Sequence, residues 1–378
     1  MPSILLVTND FGPRAGGIET FVVGLLERVP DGEVLVYTSA QPSSQEYDRR
    51  WMQDYGVEVI RDRSRILLPS PRVISKLRKI VRDKKFKTVW FGAAAPLAIA
   101  ARWLKSAGAT HIVALTHGHE VWWSKLWPFS RLMKEIAKNV DVATYLGEFT
   151  RHAMAPKFKD PRKLIKVAPG IDTEHFVPLP SPELRALHSI ENSPTIVSVG
   201  RLVHRKGQDR LVEAMPKILE EVPKAQLVFI GEGPHRETLD NLVSKHSLHD
   251  HVKFIGRIHY KDLPRYISMG DIFAMPSRSR LFGLEVEGLG IVYLEASACG
   301  LPVIGGASGG APDAVQHGVT GYVVDGNNVD EIAQRCVELL SNPELRLKMG
   351  SAGRAWVEYQ WRWQIWSKEF NRALRIES

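Results

Sequence analysis

The sequence contains very little cysteine and no stretch that could cross a membrane. Only two of its 378 residues are cysteine, Cys299 and Cys336, which is too few for a disulfide framework or a thiolate metal site. No run of 18 apolar residues occurs, and the N-terminus passes directly into the apolar residues 4–7 without the pattern of a secretory signal. These absences predict a cytoplasmic protein that is stabilised by ordinary hydrophobic cores.

Patterns that would indicate a cofactor or a metal are also missing. The loop at residues 9–17 has paired glycines but lacks the Gly-x-Gly-x-x-Gly spacing that binds a dinucleotide. No Asp-x-Asp pair occurs, and the pair His117 and His119 has no third ligand at a suitable spacing. We therefore expect the chemistry of this protein to require neither a cofactor nor a metal.

Positive charge is concentrated in one half of the chain. The net charge is +8, but residues 1–172 hold 27 Lys and Arg against 17 Asp and Glu, whereas residues 173–378 hold 23 against 25. The densest segment runs from Arg72 to Lys87, with eight basic residues and one acid on a helical pattern of apolar residues. No nucleic-acid-binding signature accompanies it, so we expect contact with an anionic membrane surface. A helix that only packs its apolar stripe on the domain is the alternative, and both can hold.

Short apolar runs alternate with helical stretches in two series. The runs are continuously hydrophobic, as in parallel strands buried on both faces. The first series covers residues 4–8, 34–38, 57–60, 89–92, 111–116, 140–146 and 165–168. The second covers residues 196–200, 227–231, 252–256, 272–276, 302–305 and 322–324. This order predicts an α/β protein with two doubly wound, Rossmann-like parallel-sheet domains.

A proline-rich segment separates the two series. Residues 169–182 contain four prolines and no apolar periodicity, which predicts a hinge between a domain at residues 1–172 and another at residues 173–359. Trp356, Trp361, Trp363 and Trp366 crowd the C-terminus. Because so many indoles must be buried, we expect a final helix at about residues 360–378 to pack back on the first domain.

Two carboxylates, Glu287 and Glu295, lie eight residues apart at the predicted start of a helix. The main-chain N–H groups of residues 288–291 would open that helix, and unpaired N–H groups at a helix N-terminus attract phosphate. A phosphate flanked by carboxylates that accept hydroxyl hydrogen bonds suggests a nucleotide sugar. The loop before it contains a second carboxylate, Glu285, as a rival to Glu287; we prefer Glu287 because a Gly-x-Gly follows it.

The loop that follows the first strand of the second series contains two cations. Arg201 and Lys206 lie after the strand and before a helix, where a guanidinium can bind two oxygens of a diphosphate and an ammonium adds a point charge. Solvated surface charges are the alternative. Gly256, Arg257 and Ile258 end another strand and could hold a base through main-chain groups.

Candidate residues in the first domain also follow strands. Gly16 and Gly17 open a helix and allow a ligand to approach the backbone closely, although a glycine pair is often only a turn. His117 interrupts an apolar run at the ligand-binding edge, which favours a hydrogen-bonding role over a satisfied structural histidine.

The chain resembles the retaining glycosyltransferases of the GT-B fold in five motifs that occur in order. They are Gly-Arg-Leu-x3-Lys-Gly at 200–207, Glu-x7-Glu at 287–295, Ala-Cys-Gly-Leu-Pro-Val-Ile at 298–304, Ser-Gly-Gly-Ala-Pro at 308–312 and Gly-Val-Thr-Gly at 318–321. The resemblance implies GT-B architecture, with an acceptor-side domain facing a donor-binding domain across a cleft. One departure is a longer loop at residues 277–286, which keeps Glu285 as a rival.

Within that family the chain is similar to actinobacterial mannosyltransferases that build phosphatidylinositol mannosides, at the step that adds the second, α-1,6-linked mannose. The likeness implies GDP-mannose as donor, a glycolipid acceptor and a peripheral position on the inner face of the plasma membrane. Another nucleotide-sugar glycosyltransferase, acting on a polysaccharide or inositol, and a nucleotide-sugar 2-epimerase remain alternatives, as does a non-enzymatic nucleotide or nucleic-acid binder.

The resemblance also implies residue roles. Arg201 and Lys206 would hold the donor diphosphate, with Gly290, Ile291 and Val292 on the distal phosphate. Glu287 would meet the hydroxyls of the transferred sugar and Glu295 the ribose. His117 would contact the sugar near the reacting carbon, and Gly16 would lie between donor phosphate and acceptor. For an inositol phosphate on the acceptor we expect contacts from Asn9, Asp10 and Arg151, and His119 is a further candidate on the acceptor side.

Overall fold

The computed structural model describes residues 2–13, 16–118 and 120–376, which fold into two compact units. Unit 1 comprises Met1–Gly170 and Gln364–Ser378, and unit 2 comprises Ile171–Trp363. The chain therefore enters unit 2 once and returns to unit 1 near its C-terminus. In the described part of the chain, none of the helices combines the length and the apolar character of a membrane span.

Unit 1 contains a parallel sheet of seven strands in the order β3-β2-β1-β4-β5-β6-β7. Its strands are β1 (Ile4–Thr8), β2 (Val34–Thr38), β3 (Glu58–Arg61), β4 (Thr88–Phe91), β5 (His111–Ala114), β6 (Val142–Tyr145) and β7 (Leu164–Lys166). Strand β1 is fully buried, and every residue of β4 except Thr88 is buried, because almost all of their side chains are apolar on both faces.

Helices connect these strands. They are α1 (Gly17–Leu26), α2 (Ser44–Tyr55), α3 (Pro71–Asp83), α4 (Ala101–Lys105), α5 (Glu120–Lys125), α6 (Phe129–Asn139) and α7 (Glu148–Met154). The connections through α3, α4 and α6 all cross the sheet in the same direction, so right-handed crossovers place them on one face. Their apolar side chains share one core.

Unit 2 contains a parallel sheet of six strands in the order β10-β9-β8-β11-β12-β13. Its strands are β8 (Thr195–Val199), β9 (Gln226–Ile230), β10 (Val252–Gly256), β11 (Ile272–Met275), β12 (Val303–Gly306) and β13 (Gly321–Val324). Its helices are α8 (Pro182–Leu187), α9 (Gln208–Glu221), α10 (Arg236–Lys245), α11 (Leu263–Ile267), α12 (Ile291–Ala298), α13 (Val329–Ser341) and α14 (Pro343–Gln360).

The predicted fold class is confirmed. All thirteen predicted strands are present, with ends that differ by two residues at most, and both sheets are parallel and doubly wound. Strand order reverses between β1 and β4 in unit 1 and between β8 and β11 in unit 2. Ligands of such sheets bind beyond the carboxyl ends of the strands at these reversal points, so the loops after β1, β8 and β11 lie where a ligand is expected.

The last helix, α15 (Trp363–Leu374), returns the chain to unit 1. The rings of Phe370 and Trp90 lie 4.7 Å apart, and Nε2–H of His111 donates to the carbonyl of Ala373 at 2.7 Å. Asn371 donates to the carbonyl of Arg28. The helix therefore covers the unit 1 sheet with an aromatic side chain and is fixed by hydrogen bonds to two separate elements.

Candidate active site

The loop after β8 is held in a closed turn against the end of β11. Residues His204–Lys206 form a single 3-10 turn, and Gly207 follows with φ of +75° as the N-cap of α9. A Cβ at Gly207 would overlap the carbonyl oxygen of Pro276. The left-handed conformation and the close approach both require glycine, and together they direct the Lys206 side chain inward, where it is buried.

Lys206 meets Glu287, the carboxylate preferred from the sequence. Its Nζ lies 2.8 Å from Oε2 of Glu287, and Nη1 of Arg205 lies 2.7 Å from the same oxygen. The Glu287 side chain is only 9% exposed. Burial alone would raise the pKa of Glu287, but the charges of Lys206 and Arg205 outweigh it and hold the pKa below its usual value. Glu287 is therefore ionised at neutral pH.

The backbone of Glu287 is fixed by the loop after β12. Its N–H donates to Oγ of Ser308 at 3.3 Å, and the N–H of Gly310 donates to its carbonyl at 2.9 Å. A Cβ at Gly309 would overlap that carbonyl, and one at Gly310 would overlap the carbonyl of Gly288. The Ser-Gly-Gly motif therefore supports the acidic loop by close packing, a role that sequence reasoning missed.

The helix α12 begins at Ile291, after Gly290 in the left-handed conformation with φ of +77°. A Cβ at Gly290 would overlap the ring of Tyr293, whose hydroxyl donates to the carbonyl of Met275 at 2.7 Å. Ile291 and Val292 are the first residues of the helix, where N–H groups have no partner within it. Residues 288–292 thus present the tip of a helix at the Glu287 carboxylate.

Glu295 lies one turn further along α12 and is buried. Burial raises its pKa to about 7, and the charge of Lys206 opposes that rise. The two carboxylates of the Glu-x7-Glu motif thus differ in protonation. Glu287 is ionised by contact with two cations, whereas the pKa of Glu295 lies close to neutral pH. Because the ionised form is poorly solvated, Glu295 would be stabilised by hydroxyl donors.

The rival carboxylate Glu285 is placed differently from Glu287. It pairs with Arg280 at 3.2 Å and lies 3.8 Å from Nε of Arg205, with its side chain 36% exposed. Main-chain hydrogen bonds between Arg280 and Glu285 run in both directions and close the longer loop into a short hairpin. Glu285 therefore belongs to the hairpin's rim, whereas Glu287 is buried beside Lys206.

Arg205 and Arg278 are two residues whose roles the sequence did not indicate. Arg205 bridges both glutamates, and its carbonyl accepts from the N–H of Arg278. Nη2 of Arg278 lies 2.6 Å from Oδ2 of Asp209, and both residues are buried. These contacts join the hairpin to the loop after β8. The adjacent Arg205-Lys206 pair in the motif could have indicated Arg205, whereas no sequence signal pointed to Arg278.

Other residues predicted in unit 2 are not part of this ion-pair group. Arg201 is exposed directly after β8, and its carbonyl accepts from Gln208 at 3.3 Å. Gly256, Arg257 and Ile258 lie at the end of the edge strand β10, two strands from β8. The carbonyl of Gly256 accepts from the N–H of Gly231 at 2.8 Å, while Arg257 is exposed.

In unit 1, the glycine pair after β1 faces open space. Gly16 is the N-cap of α1 in an extended conformation with φ of −165°, and Gly17 is the first helical residue. A Cβ at either position would meet no described atom within 4 Å. Nothing within the described protein requires glycine at these two positions, in contrast to Gly207. A ligand that approaches the backbone closely would explain the two glycines.

His117 is buried at the end of β5 and is held by the protein itself. Its Nε2–H donates to the carbonyl of Gly92 at 2.6 Å, and its main-chain N–H donates to Oε2 of Glu120 at 2.9 Å. The ring lies edge-on to Phe21 at 5.7 Å. The bond to Gly92 fixes the ring orientation at the ligand-binding edge of the sheet.

The structure describes three of the four residues expected at the acceptor, and each of the three bonds to a different partner. The Asn9 carboxamide accepts from the N–H of Leu67 at 2.7 Å and donates to its carbonyl at 3.0 Å. The Asp10 N–H donates to Oγ1 of Thr8. Arg151 is half exposed and pairs with Glu148 at 2.8 Å. His119 lies outside the described residues.

Most of the basic segment forms α3, and the apolar side chains of its predicted stripe are buried apart from Ile80, which is half-buried. Asp62 anchors its start: Nη2 of Arg72 lies 2.6 Å away, and Nζ of Lys76 lies 3.6 Å away. The hydrogen bond from Arg72 lowers the pKa of Asp62, whereas burial raises it. The hydrogen bond has the larger effect, so the pKa falls well below its usual range. Lys79 and Arg82 are exposed on the side of α3 that is opposite its buried apolar residues.

Two protein families match the chain, one over each half. The family described as "Glycosyl transferases group 1" matches residues 181–356, and "Glycosyltransferase Family 4" matches residues 15–175. The first match contains every residue of the ion-pair group around Glu287, and the second contains Gly16, Gly17 and His117.

Curated relatives match over almost the full length. A Mycobacterium tuberculosis protein named GDP-mannose-dependent alpha-(1-6)-phosphatidylinositol monomannoside mannosyltransferase is 43% identical over 99% of this chain and 98% of its own. A Corynebacterium glutamicum protein named GDP-mannose-dependent monoacylated alpha-(1-6)-phosphatidylinositol monomannoside mannosyltransferase is 41% identical over 99% and 98%.

Solved structures share the fold at low sequence identity. Anabaena HepE, crystallised with UDP and glucose, matches with a TM-score of 0.80 at 17% identity over 100% of both chains. Sucrose-phosphate synthase from Thermosynechococcus elongatus matches with a TM-score of 0.78 at 22% identity over 99% of this chain and 98% of its own. These matches support the two-sheet architecture.

Proposed function

Because this chain belongs to the group 1 glycosyl transferases and is a glycosyltransferase, we propose that it transfers mannose from GDP-mannose to a phosphatidylinositol mannoside lipid, as the second, α-1,6-linked mannose. The observation that carries the proposal is the buried contact of Lys206 and Arg205 with Glu287 at the tip of α12. The 43% identity to a relative with that named activity supports the choice of donor and acceptor.

The donor roles follow from charge and position. We assign the diphosphate to Arg201 and Lys206, with the N–H groups of residues 290–292 on the distal phosphate. Arg201 is exposed beside the loop and can turn to a ligand. Lys206 neutralises Glu287 before the donor binds and would then share its charge with the phosphate.

The hydroxyls of the sugar and the ribose would donate hydrogen bonds to carboxylates, and the base would be bound by main-chain groups. Glu287, held ionised by two cations, accepts from hydroxyls of the mannose. Glu295 accepts from the ribose, whose hydroxyls would stabilise its buried anion. Gly256, Arg257 and Ile258, at the end of β10, are assigned to the base through main-chain groups. Gly16 and Gly17 leave room for a phosphate at the start of α1.

We propose transfer with retained configuration. The bond between the anomeric carbon and the phosphate oxygen breaks, a bond to the acceptor oxygen forms on the same face, and the acceptor proton passes to the departing phosphate. Arg201, Lys206 and the helix tip stabilise the charge on that phosphate, which is the largest contribution such a site can make. No metal is assigned because these groups supply the positive charge. His117 orients the sugar near its reacting carbon.

The acceptor and the membrane are assigned to unit 1. Exposed cations of α3, including Lys79 and Arg82, would meet an anionic surface at the inner face of the plasma membrane, while Arg72 and Lys76 anchor the helix to Asp62. Of the residues expected at the inositol phosphate, Asp10 and Arg151 remain assigned to it. The Asn9 carboxamide binds Leu67 at both of its ends, so its proposed contact would require that pair to open.

The test is a transfer assay with GDP-mannose, UDP-glucose and ADP-glucose, each offered with phosphatidylinositol monomannoside and with free inositol, in the presence and absence of EDTA. We expect transfer only from GDP-mannose to the lipid, with an α-1,6 product by NMR and no effect of EDTA. Transfer to inositol, a preference for another donor, or an inverted anomeric centre would contradict the respective part of the proposal. Epimerised nucleotide sugar in the absence of acceptor would identify an isomerase instead.

A further inference from the structure

Unit 1 contains a second basic feature, a groove of about 720 Å³ between α6 and residues 155–163. It is separate from α3 and from the loops after β1 and β5. Six basic side chains contribute to its lining against two acidic ones: Arg131, Lys134, Lys138, Lys157, Lys159 and Lys163, against Glu135 and Asp160. Neither the ion-pair group of unit 2 nor the proposed transfer reaction gives these cations a role.

Two of the cations, Lys157 and Lys163, join the two walls of the groove through hydrogen bonds. Nζ of Lys157 donates to Oγ of Ser130, just inside the start of α6, at 2.8 Å. Nζ of Lys163 donates to the carbonyl of Val140, at the other end of the helix, at 2.8 Å. A cation there also faces the negative end of the helix dipole. The two walls are therefore joined at both ends by side chains.

The two carboxylates of the groove accept hydrogen bonds from Arg162 and Asn139, not from the other lining cations. Both oxygens of Asp160 accept from Arg162 at 2.9 Å, and Glu135 accepts from Asn139 at 3.0 Å. Among the described residues, no carboxylate lies within ion-pair distance of the other four cations, Arg131, Lys134, Lys138 and Lys159. All four are exposed. The groove thus carries an excess of positive charge.

Three of these cations also lie on the same face of α6. Arg131, Lys134 and Lys138 follow the spacing of three and then four residues that brings side chains together on a helix surface. Like charges at this spacing repel one another and destabilise a helix. An anion between them would remove that cost and would meet Lys159 from the opposite wall.

The floor of the groove is apolar. Ala137 and Phe158 line it and belong to the core of unit 1, and Pro156 stands at the rim. A cationic rim above an apolar floor suits a molecule with a phosphate and a hydrocarbon part. The groove also lies on the same helical layer as α3, because α3 packs on α4 and α4 packs on α6. That shared layer allows one flat anionic surface to reach both.

We propose that this groove binds the headgroup of an anionic phospholipid, with the phosphodiester between Lys134, Lys138 and Lys159 and the first part of the acyl region against Phe158. The site is additional to α3. It does not depend on the transfer reaction, because lipid binding can be measured without donor or acceptor.

The first experiment uses dioctanoyl phosphatidylglycerol below its micelle concentration as the probe. Acetylation of Lys134, Lys138 and Lys159 in the full chain is followed by mass spectrometry. We expect at least about five-fold slower modification of these lysines, since one contact of this kind contributes about that factor, and no change at Lys224. Equal protection by dioctanoyl phosphatidylcholine, equal protection by glycerophosphoglycerol without chains, or no protection would each overturn the proposal.

The second experiment measures binding to vesicles of equimolar phosphatidylcholine and phosphatidylglycerol. The groove variant K134E/K138E/K159E should bind about 100-fold more weakly. The matched control K224E/K245E/K348E changes three exposed lysines of unit 2 by the same charge and should bind within about two-fold of the unaltered chain. The α3 variant R78E/K79E/R82E tests the membrane contact of the proposed function separately. A loss in the α3 variant alone would reject the groove, and a loss in the groove variant alone would reject α3.

Discussion

The ligand-binding edges of the two units are built in different ways. In unit 2, charged side chains at the ends of β8 and β11 already contact one another: Lys206 and Arg205 meet Glu287, and Arg278 meets Asp209. In unit 1, the loop after β1 presents Gly16 and Gly17 to open space, and His117 bonds to a main-chain carbonyl. The edge of unit 2 holds fixed ion pairs, whereas the edge of unit 1 provides space at Gly16 and Gly17 and a histidine fixed by hydrogen bonds.

This difference matches the demands of glycosyl transfer. A departing diphosphate develops charge, and groups that are fixed before the reaction stabilise it without reorganisation. An acceptor must enter and leave, which favours backbone groups with room in front of them. Holding charges together in a buried place has a cost, however, because each partner of a buried ion pair depends on the other.

The largest expected effect compares Lys206 with Arg201. Both Lys206→Ala and Arg201→Ala should lower kcat/KM about 10³-fold or more, because each removes a charge proposed to stabilise the leaving diphosphate. Lys206→Ala should also lower the free energy of unfolding by about 2 to 4 kcal/mol, since buried Glu287 loses a partner. Arg201→Ala should stay within about 0.5 kcal/mol because Arg201 is exposed.

Steady-state kinetics and denaturant unfolding measure both quantities. The double variant Lys206→Ala, Glu287→Gln is the control, and it should recover stability but not activity. Near-normal turnover in either single variant would contradict the assignment of the donor diphosphate to that residue. Equal losses of stability in Lys206→Ala and Arg201→Ala would contradict the contrast between a cation paired with a buried carboxylate and an exposed cation.

The next effect compares the glycines of the two edges. Gly207→Ala should destabilise the protein by about 2 to 4 kcal/mol, because a left-handed conformation and an overlap with the Pro276 carbonyl act together. Gly16→Ala should leave the melting temperature unchanged, since its Cβ meets open space, but should weaken donor binding in a titration. A stable Gly207→Ala variant, or Gly16→Ala with full donor affinity, would remove the distinction.

The smallest of the three effects depends on pH and concerns Glu295. Its folded-state pKa of about 7 lies above the ordinary value of 4.5, so its contribution to stability is fully present below pH 4.5 and is lost as the pH rises to about 7. Glu295→Gln should therefore be more stable than the unaltered protein at pH 8, by up to about 3 kcal/mol, and equally stable near pH 4.

Unfolding curves at these two pH values give the comparison, with Glu285→Gln as the control. Glu285 is partly exposed in its ion pair with Arg280, so that variant should differ by less than about 0.5 kcal/mol at either pH. A Glu295→Gln variant that is less stable at pH 8 would mean that the ionised carboxylate is already satisfied inside the protein.

Much of this molecule could be predicted from local sequence. Every strand was found, because strands buried on both faces of a parallel sheet are continuously apolar and their boundaries are loops rich in glycine and polar residues. The amphipathic character of α3 was also readable, since its apolar residues follow the helical period and the structure buries them. Lys206 was indicated by its position after a strand, and Glu287 by its position at the predicted start of a helix.

The partners of these residues could not be predicted in the same way. Arg205 contacts Glu287, 82 residues away, and Arg278 contacts Asp209, 69 residues away. Asn9 was expected at the acceptor, but its carboxamide binds the backbone of Leu67, 58 residues along the chain. A side chain's hydrogen-bonding capacity is visible in the sequence, whereas the group that meets it depends on how the strands are ordered.

The sequence by itself determined the two parallel sheets, the glycine-rich loops at their carboxyl ends and the excess of positive charge in the first half, because periodicity, turn chemistry and composition are local properties. Only the tertiary structure decided that Glu287 is ionised by two cations while Glu295 has a pKa of about 7, that Gly207 is enclosed while Gly16 is open, and that α6 carries a second basic groove. Burial and charge pairing depend on distances between segments far apart in the chain, and folding alone sets those distances.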